Sequence, residues 1–147
     1  MARPKSTAPL ASPDEIEQQF YEALQAGDIE RLMAVWSDDE EISCVHPGGP
    51  RVVGALAIRS SFESMFANGA IDARPEKVRR LQTHTCAVHS VLEVVQMMTS
   101  EGPQSAWVVA TNVYLHSVQG WRLVSHHASP GSAREVQEIV ETASVLH

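Results

Sequence analysis

The sequence is poor in cysteine, and its two cysteines carry no pairing signal. Cys44 and Cys86 lie far apart, and neither belongs to a C-x-x-C spacing. A structural zinc site and a disulfide framework both require denser cysteine patterns, so the sequence predicts neither. Such sparse use of cysteine is typical of a reducing compartment, and we expect a cytoplasmic location.

Basic residues are also scarce. The chain has 11 Lys and Arg against 18 Asp and Glu, which gives a formal net charge of -7 and a pI near 5.4. Binding to a phosphate backbone requires a basic face. The densest basic run is KVRR at 77–80, which we interpret as a solvated strand edge rather than a binding patch. Nucleic acid is therefore not an expected partner.

Long apolar runs are absent as well. No stretch approaches the roughly eighteen apolar residues of a membrane helix, and the opening MARPKSTAPLASP lacks the apolar core of a signal peptide. We expect no membrane partner, and residues 1–11 are predicted to be a disordered tail. With 147 residues, of which 44% are hydrophobic, the chain is expected to form one domain with its own core.

Helix signals fill the first half of the chain. Ser12, Pro13 and Glu15 match an N-cap, a first-turn proline and a capping-box acid, and Gly27 ends the helix that they open. Apolar spacing predicts two further helices, at 29–36 and 55–66. The first half is therefore predicted to be helical, interrupted by one short strand, ISCVHP at 42–47.

The second half of the chain has β-rich patterns. Four segments follow Pro75: KVRRLQTHT, VHSVLEVVQMMT, AWVVATNVYLHS and WRLVSHHAS. Helices followed by a meander indicate an α+β fold rather than alternating βαβ units. The tail at 131–147 returns to helical spacing, so we predict a C-terminal helical extension to a domain spanning 12–130.

The third β-rich segment has two apolar faces. Its odd positions form one face: Trp107, Val109, Thr111, Val113 and Leu115. The even positions are also largely apolar, and one domain cannot cover both faces with its own helices. We therefore expect the even positions to face the helices and the odd positions to pack against a second copy in a homodimer.

The following turn sets the predicted register. If Gln119 and Gly120 form a two-residue hairpin loop, Val118 pairs with Trp121 and Asn112 lies opposite His127. Because neighbouring side chains of a strand point to opposite faces, His126 then falls on the dimer face. A single β-bulge would reverse this assignment.

The motifs of the chain resemble those of a known superfamily. The helical hairpin, VHPGG followed by VVGALAIRSSFESMF, and ATNVYLHSVQGWRLVSHHASP are similar to the SnoaL-like branch of the NTF2-like superfamily. That superfamily also contains ketosteroid isomerases and the association domain of calmodulin-dependent kinase II. The resemblance covers about residues 12 to 130. It implies a cone, in which a curved, mainly antiparallel sheet wraps around N-terminal helices and dimerises through its convex face.

The resemblance also implies a pocket at the open end of the cone, but not one chemistry. Members of the superfamily include enzymes as well as ligand-binding and oligomerisation modules, and fold alone does not decide between them. Ketosteroid isomerases combine an aspartate base with two oxyanion donors, a tyrosine and a protonated acid. No aspartate lies in the four β-rich segments, which argues against that particular chemistry.

Four residues are candidates for catalysis. His127 could be a base whose tautomer Asn112 fixes, or a structural histidine. Glu93 is surrounded by apolar neighbours in VLEVVQ, so it must be paired, protonated or exposed at an edge. His46, held extended by Pro47, is a candidate second acid. Tyr114 is a candidate oxyanion donor.

Four further residues are candidates for ligand binding. Asn112 could donate to an oxyanion, and Arg59 could bind an anionic group or remain solvated. Trp36 and Phe62 are predicted pocket walls. No H-x-x-x-H or H-x-H spacing is present, so we predict neither a metal nor a redox cofactor.

The sequence thus predicts a protein that binds a small organic molecule in a pocket. If it is an enzyme, we expect proton-transfer chemistry without a cofactor, as in an isomerase, dehydratase or hydrolase. The alternative is a non-catalytic ligand-binding or oligomerisation module.

Overall fold

The helices and strands follow the predicted order. The computed structural model describes residues 12–132 and 137–141, and the elements within that part are α1 Pro13–Ala26, α2 Ile29–Met33, β1 Ser43–Val45, β2 Arg51–Val53, α3 Ala55–Phe66, β3 Asp72–Gln82, β4 Cys86–Thr99, β5 Gly102–Ser117 and β6 Gly120–Pro130. None of these three helices combines the length and the apolar character that a membrane span needs.

The signals that bound α1 act as predicted. The Ser12 hydroxyl accepts the backbone N–H of Glu15 at 3.2 Å, and Pro13 occupies the first turn, where a missing N–H costs nothing. Gly27 ends the helix with a φ of 64°, a left-handed conformation that glycine adopts without a Cβ penalty. The cap residues therefore fix the start and the end of α1.

The six strands form one curved, unclosed sheet in the order β2-β1-β6-β5-β4-β3. All neighbours are antiparallel except β1 and β6, which run parallel. The predicted α+β cone is confirmed.

Strand β2 was not predicted, because its three residues follow a turn and carry no alternating pattern. Strand β3 begins at Asp72, five residues before the predicted segment, and Asp72 there pairs with Arg74 at the surface.

The concave face of the sheet packs against the helices. The even positions of β5 are buried there as predicted, namely Val108, Ala110, Asn112 and Tyr114. They face helix residues such as Ile16, Phe20 and Phe62, each of which contributes about 1.5–3 kcal/mol by leaving water. The core thus lies between α1, α3 and the sheet.

The predicted pairing of β5 with β6 is wrong by two residues next to the turn and by one residue beyond a bulge. The two-residue loop is Val118–Gln119, and Ser117 pairs with Gly120, whose φ of 90° suits the turn. That change of loop alone moves the pairing by two residues and preserves the face of every side chain. A bulge opposite Val113 and Tyr114 then moves it back by one, which exchanges the faces beyond it.

As a consequence, Asn112 pairs with His126, and His127 pairs with Thr111. His126 is buried on the concave face and His127 is exposed on the convex face. The prediction that His127 faces the inside of the cone is therefore wrong. The predicted hairpin would also place Tyr114 opposite Ser125, but the changed loop pairs Tyr114 with Leu123.

The convex face remains partly open in the single chain. Of the predicted interface residues, Thr111 and Leu115 are exposed and the other three are half-buried. Glu138 crosses to β3 and forms ion pairs with Arg79 at 2.6 Å and Lys77 at 3.9 Å. The helix predicted for 131–147 lies mostly outside the described residues, and residues 137–141 have no regular secondary structure.

Candidate functional site

An apolar cavity of about 310 Å³ lies between the helices and one end of the sheet. Its walls are mostly aliphatic and aromatic, and include Leu24, Phe62, Met65, Ile71 and Val95. Three lining residues are titratable, namely His46, Glu93 and His126. An apolar cavity with a few convergent polar groups is the usual form of a small-molecule site. A depression of about 390 Å³ near Asp38 has no buried titratable residue in its lining.

Glu93 places a carboxyl group in the wall of this cavity. It lies on β4 with only 5% of its surface exposed, and its Oε2 accepts a hydrogen bond from the Tyr21 hydroxyl at 2.6 Å. The pKa of Glu93 is raised from 4.5 to about 7, mainly by burial; the hydrogen bond from Tyr21 acts to lower the pKa, and the nearby Glu17 acts to raise it. The carboxyl group can therefore gain or lose a proton near neutral pH.

His126 reaches the cavity from β6. Its Nδ1 lies 2.5 Å from Oδ1 of Asn112, and its ring packs against Phe20 at a centroid distance of 4.9 Å. The pKa of His126 is lowered from 6.5 to about 3, mainly by burial and to a smaller extent by the nearby His46 and His127. The imidazole is therefore neutral at physiological pH. Neither the sequence pattern nor the predicted register had placed His126 in the cavity.

His46 closes another side of the cavity, beyond the end of β1. Its Nε2 lies 3.0 Å from the Ser61 hydroxyl on α3, and its ring meets Phe62 edge-on at 4.7 Å. Burial lowers the pKa of His46. Pro47 holds the histidine backbone extended, and the contact with Ser61 then fixes the ring.

A second carboxylate, Glu17 on α1, anchors the polar cluster behind the cavity. Its Oε2 is within hydrogen-bond distance of three side chains: His89 Nδ1 at 3.0 Å, Asn112 Nδ2 at 3.2 Å and the Tyr114 hydroxyl at 2.7 Å. Burial and the Glu17 carboxylate raise the pKa of Tyr114 well above its ordinary value. Glu17 is thus a buried acceptor whose donors come from two strands.

Asn112 joins this anchor to the cavity. Its Nδ2 donates to Glu17 and to the Tyr21 hydroxyl, each at 3.2 Å, so its Oδ1 is left for His126. Since Tyr21 in turn donates to Glu93, one chain of hydrogen bonds runs from His126 through Asn112 and Tyr21 to Glu93. The two titratable groups on this side of the cavity are therefore connected.

Asp14, Glu17 and His89 are the one set of potential metal ligands found among the described residues, with ligand atoms within 4.8 Å of one another. However, Asp14 is exposed and pairs with Arg80 at 2.8 Å, and Glu17 already serves three donors. The set does not fit a metal ion without loss of these bonds, and we assign none.

The structure brings together part of the predicted site. Glu93, His46 and Phe62 line the cavity, and Asn112 lies behind it. Tyr114 belongs to the Glu17 cluster rather than the cavity wall. The other three predicted residues lie elsewhere. His127 is on the convex face, Arg59 forms ion pairs with Glu30 and Glu63 outside the cavity, and Trp36 packs in the core beside α2.

Sequence reasoning missed Glu17, Tyr21 and His89, and it placed His126 on the wrong face. The first two are four residues apart, on the buried side of α1 with Ile16 and Phe20. Polar residues at that spacing within an apolar stripe are a readable sign of a buried pair. His89 lies four residues before Glu93, on the same face of β4. The two-residue period of side chains along a strand could have indicated this shared face.

The comparisons with known proteins concern the family and the fold. The profile described as SnoaL-like domain matches residues 14–133. A calcium/calmodulin-dependent protein kinase type II association domain from Thiobacillus denitrificans, provisionally so named, is 31% identical, with 84% of this chain and 98% of that chain covered and a TM-score of 0.76.

Two further solved structures are similar. A provisionally named dehydratase of the NTF2-like family from Streptomyces avermitilis is 32% identical. The match covers 82% of this chain and 94% of that chain, with a TM-score of 0.72. The S. rosetta CaMKII hub is 20% identical, and the match covers 83% of this chain and 99% of that chain with a TM-score of 0.65. At this identity, the similarity shows a shared fold alone. The search of curated proteins gave no match. The chain belongs to the SnoaL-like family of the NTF2-like superfamily.

Proposed function

We propose that the protein binds a small organic molecule in the apolar cavity and catalyses cofactor-independent proton transfer on it, with Glu93 as the acid-base group. The observation that carries this proposal is a buried carboxyl group with a single hydrogen bond, from Tyr21, in the wall of an apolar cavity. Burial raises its pKa to about 7. A group that changes protonation near the working pH is suited to general acid-base catalysis. The reaction class would be that of an isomerase, a dehydratase or a hydrolase.

The other polar residues take supporting roles in this proposal. His126 and His46 contact the substrate from β6 and from the end of the neighbouring strand β1. Asn112 and Tyr114 were expected to donate to an oxyanion, but their protons are committed to Glu17 and Tyr21. We therefore assign Asn112 and Tyr114 to positioning. The similarity to the Streptomyces protein named a dehydratase is consistent with this class of chemistry.

The second candidate function is a non-catalytic module for ligand binding or oligomerisation. It is favoured by the 31% identity to the protein named as a kinase association domain. In that case Glu93 would bind a ligand without transferring a proton. The catalytic and the ligand-binding functions share the cavity and differ in whether a proton is exchanged with the bound molecule.

We also propose that two copies associate through the convex face. The partly exposed positions Trp107, Val109 and Val113 form an apolar strip there. Val109→Arg would place a charge against its symmetry mate and should shift the protein to monomer in light scattering. Leu56→Arg, on the exposed surface of α3, is the control and should leave association unchanged. A wild-type protein that is monomeric at micromolar concentration would contradict this proposal.

Proton transfer can be tested with a ketone probe. We expect the protein to accelerate exchange of the α-protons of 6-hydroxy-2-tetralone with D2O, followed by NMR, and Glu93→Gln to reduce the enzymatic rate by about a hundredfold or more. Glu63→Gln, an exposed carboxylate on α3, is the matched control and should retain the rate. Equal rates for Glu93→Gln and wild type would refute the catalytic role, and the absence of any acceleration would favour the non-catalytic module.

A further inference from the structure

We infer that the cavity selects uncharged molecules that carry a hydroxyl-type hydrogen-bond donor on an apolar body, with the donor directed to Nε2 of His126. This inference rests on the proposed function only in assuming that the cavity binds a small molecule. It adds the chemical class of that molecule, which follows from the charge of the lining and from the direction of each hydrogen bond.

The lining offers no positive charge to an anionic ligand. No lysine or arginine is among the residues that surround the cavity in the described part of the chain. Arg59, the nearest candidate by sequence, is held outside by Glu30 and Glu63. A carboxylate or phosphate would therefore lose its hydration without gaining a counter-ion, beside Glu93, which is itself partly ionised near neutrality.

The tautomer of His126 follows from its partners. Both protons of the Asn112 amide are used, one by the Glu17 carboxylate and one by the Tyr21 hydroxyl. The Asn112 atom that faces His126 is thus the carbonyl oxygen, which can only accept, so Nδ1 of His126 carries a proton. Because the ring is neutral, its Nε2 is an unprotonated acceptor.

The same reasoning applies to His46. The Ser61 hydroxyl donates its one proton to the carbonyl oxygen of Ile58 at 2.8 Å. It must then accept from Nε2 of His46, which leaves Nδ1 of that neutral ring as an acceptor. Both imidazoles at the cavity therefore retain an acceptor nitrogen and no free N–H.

Glu93 completes the polar lining. Its Oε2 accepts the Tyr21 proton, and Oε1 has no hydrogen-bond partner among the described residues. Oε1 can accept when the carboxyl is ionised and donate when it is protonated. The cavity consequently has two fixed acceptors and one variable group. A ligand without a donor would leave the histidine acceptors unpaired, which is costly in an apolar site.

Three probes with one skeleton test this inference: 2-naphthol, 2-methoxynaphthalene and 2-naphthoate. In calorimetric titrations at pH 7, we expect 2-naphthol to bind at least about tenfold more tightly than 2-methoxynaphthalene, because only the former donates. We expect 2-naphthoate to bind most weakly. Tighter binding of 2-naphthoate, equal binding of the two neutral probes, or no binding of any probe would each overturn the inference.

Adjacent histidines provide the matched variants. His126→Leu should bring the affinity for 2-naphthol to within about threefold of that for 2-methoxynaphthalene, while His127→Leu, on the convex face, should keep the tenfold preference. If His126→Leu does not fold, the three-probe titrations of the wild type still test the inference.

The result for ligand selectivity is separable from the result for catalysis. Selective binding of 2-naphthol without proton exchange would sustain the inference and refute the catalytic role, and exchange without that selectivity would do the reverse.

Discussion

Glu17 and Glu93 are two glutamates of one polar cluster, equally buried at 5% exposure, and yet they are held in different ways. One oxygen of Glu17 serves three donors, whereas Glu93 accepts one hydrogen bond and turns toward the cavity. Several donors fix the Glu17 carboxyl group in place, so it serves as a structural anchor. Glu93 has a single donor, and its pKa is raised to about 7, mainly by burial. The number of donors thus distinguishes the structural glutamate, Glu17, from the glutamate proposed to act in proton transfer, Glu93.

Removing the anchor should have the largest effect. Glu17→Leu leaves three buried donors unpaired, and we expect it to lower the free energy of unfolding by about 3–5 kcal/mol. Glu93→Leu leaves only the Tyr21 hydroxyl unpaired and should cost about 1–3 kcal/mol. Urea denaturation at pH 5 measures both. Glu22→Gln, an exposed glutamate on the same helix, is the control and should change little. Equal losses for the two buried glutamates would remove the distinction between them.

The pH dependence of stability sharpens the comparison. The pKa of Glu93 is raised from 4.5 to about 7, so the folded state holds a proton that the unfolded state has lost, and stability falls by up to about 3 kcal/mol as pH rises through this window. The pKa of His126 is lowered from 6.5 to about 3, so its contribution to stability is lost as pH falls from 6.5 to 3.

These two contributions oppose each other between pH 4.5 and 6.5, where they should largely offset in the wild type. Urea denaturation across pH 4 to 8 separates them. We expect the stability of Glu93→Gln to rise with pH in this window and that of His126→Gln to fall. Parallel curves for wild type and both variants would show that neither group is perturbed as described.

The adjacent histidines give a smaller contrast in stability. His126→Ala removes a buried ring and its bond to Asn112 and should cost about 1–3 kcal/mol, whereas His127→Ala on the convex face should alter the stability of the monomer little. Thermal unfolding at low protein concentration compares them. Should His127→Ala be the more damaging variant, the bulge in β6 would be misplaced and the register would be that of the simple hairpin.

The elements that carry local signals could be predicted from the sequence. Ser12, Pro13 and Gly27 bound α1 by side-chain capping and by backbone freedom, both of which depend on residue type alone. The alternation along β5 correctly assigns its buried face. The resemblance supplied the cone, which no local pattern would have determined.

The site was predictable only in part. Glu93 and His46 stand out because an acid among apolar residues and a histidine before proline are visible in sequence. The face of His126 depends on a bulge near Val124, where no glycine or proline marks the irregularity. The role of Glu17 depends on donors more than seventy residues away, which the pairing of the strands alone brings together.

The pKa of Glu93 tests the central claim most directly. Protein labelled with 13C at the glutamate side-chain carboxyl carbons can be titrated by NMR, and the signal of Glu93 assigned by its loss in Glu93→Gln. The account predicts that this carboxyl titrates near pH 7. A Glu93 signal that titrates near its ordinary value of 4.5 would contradict the assignment of this residue as the acid-base group of the cavity.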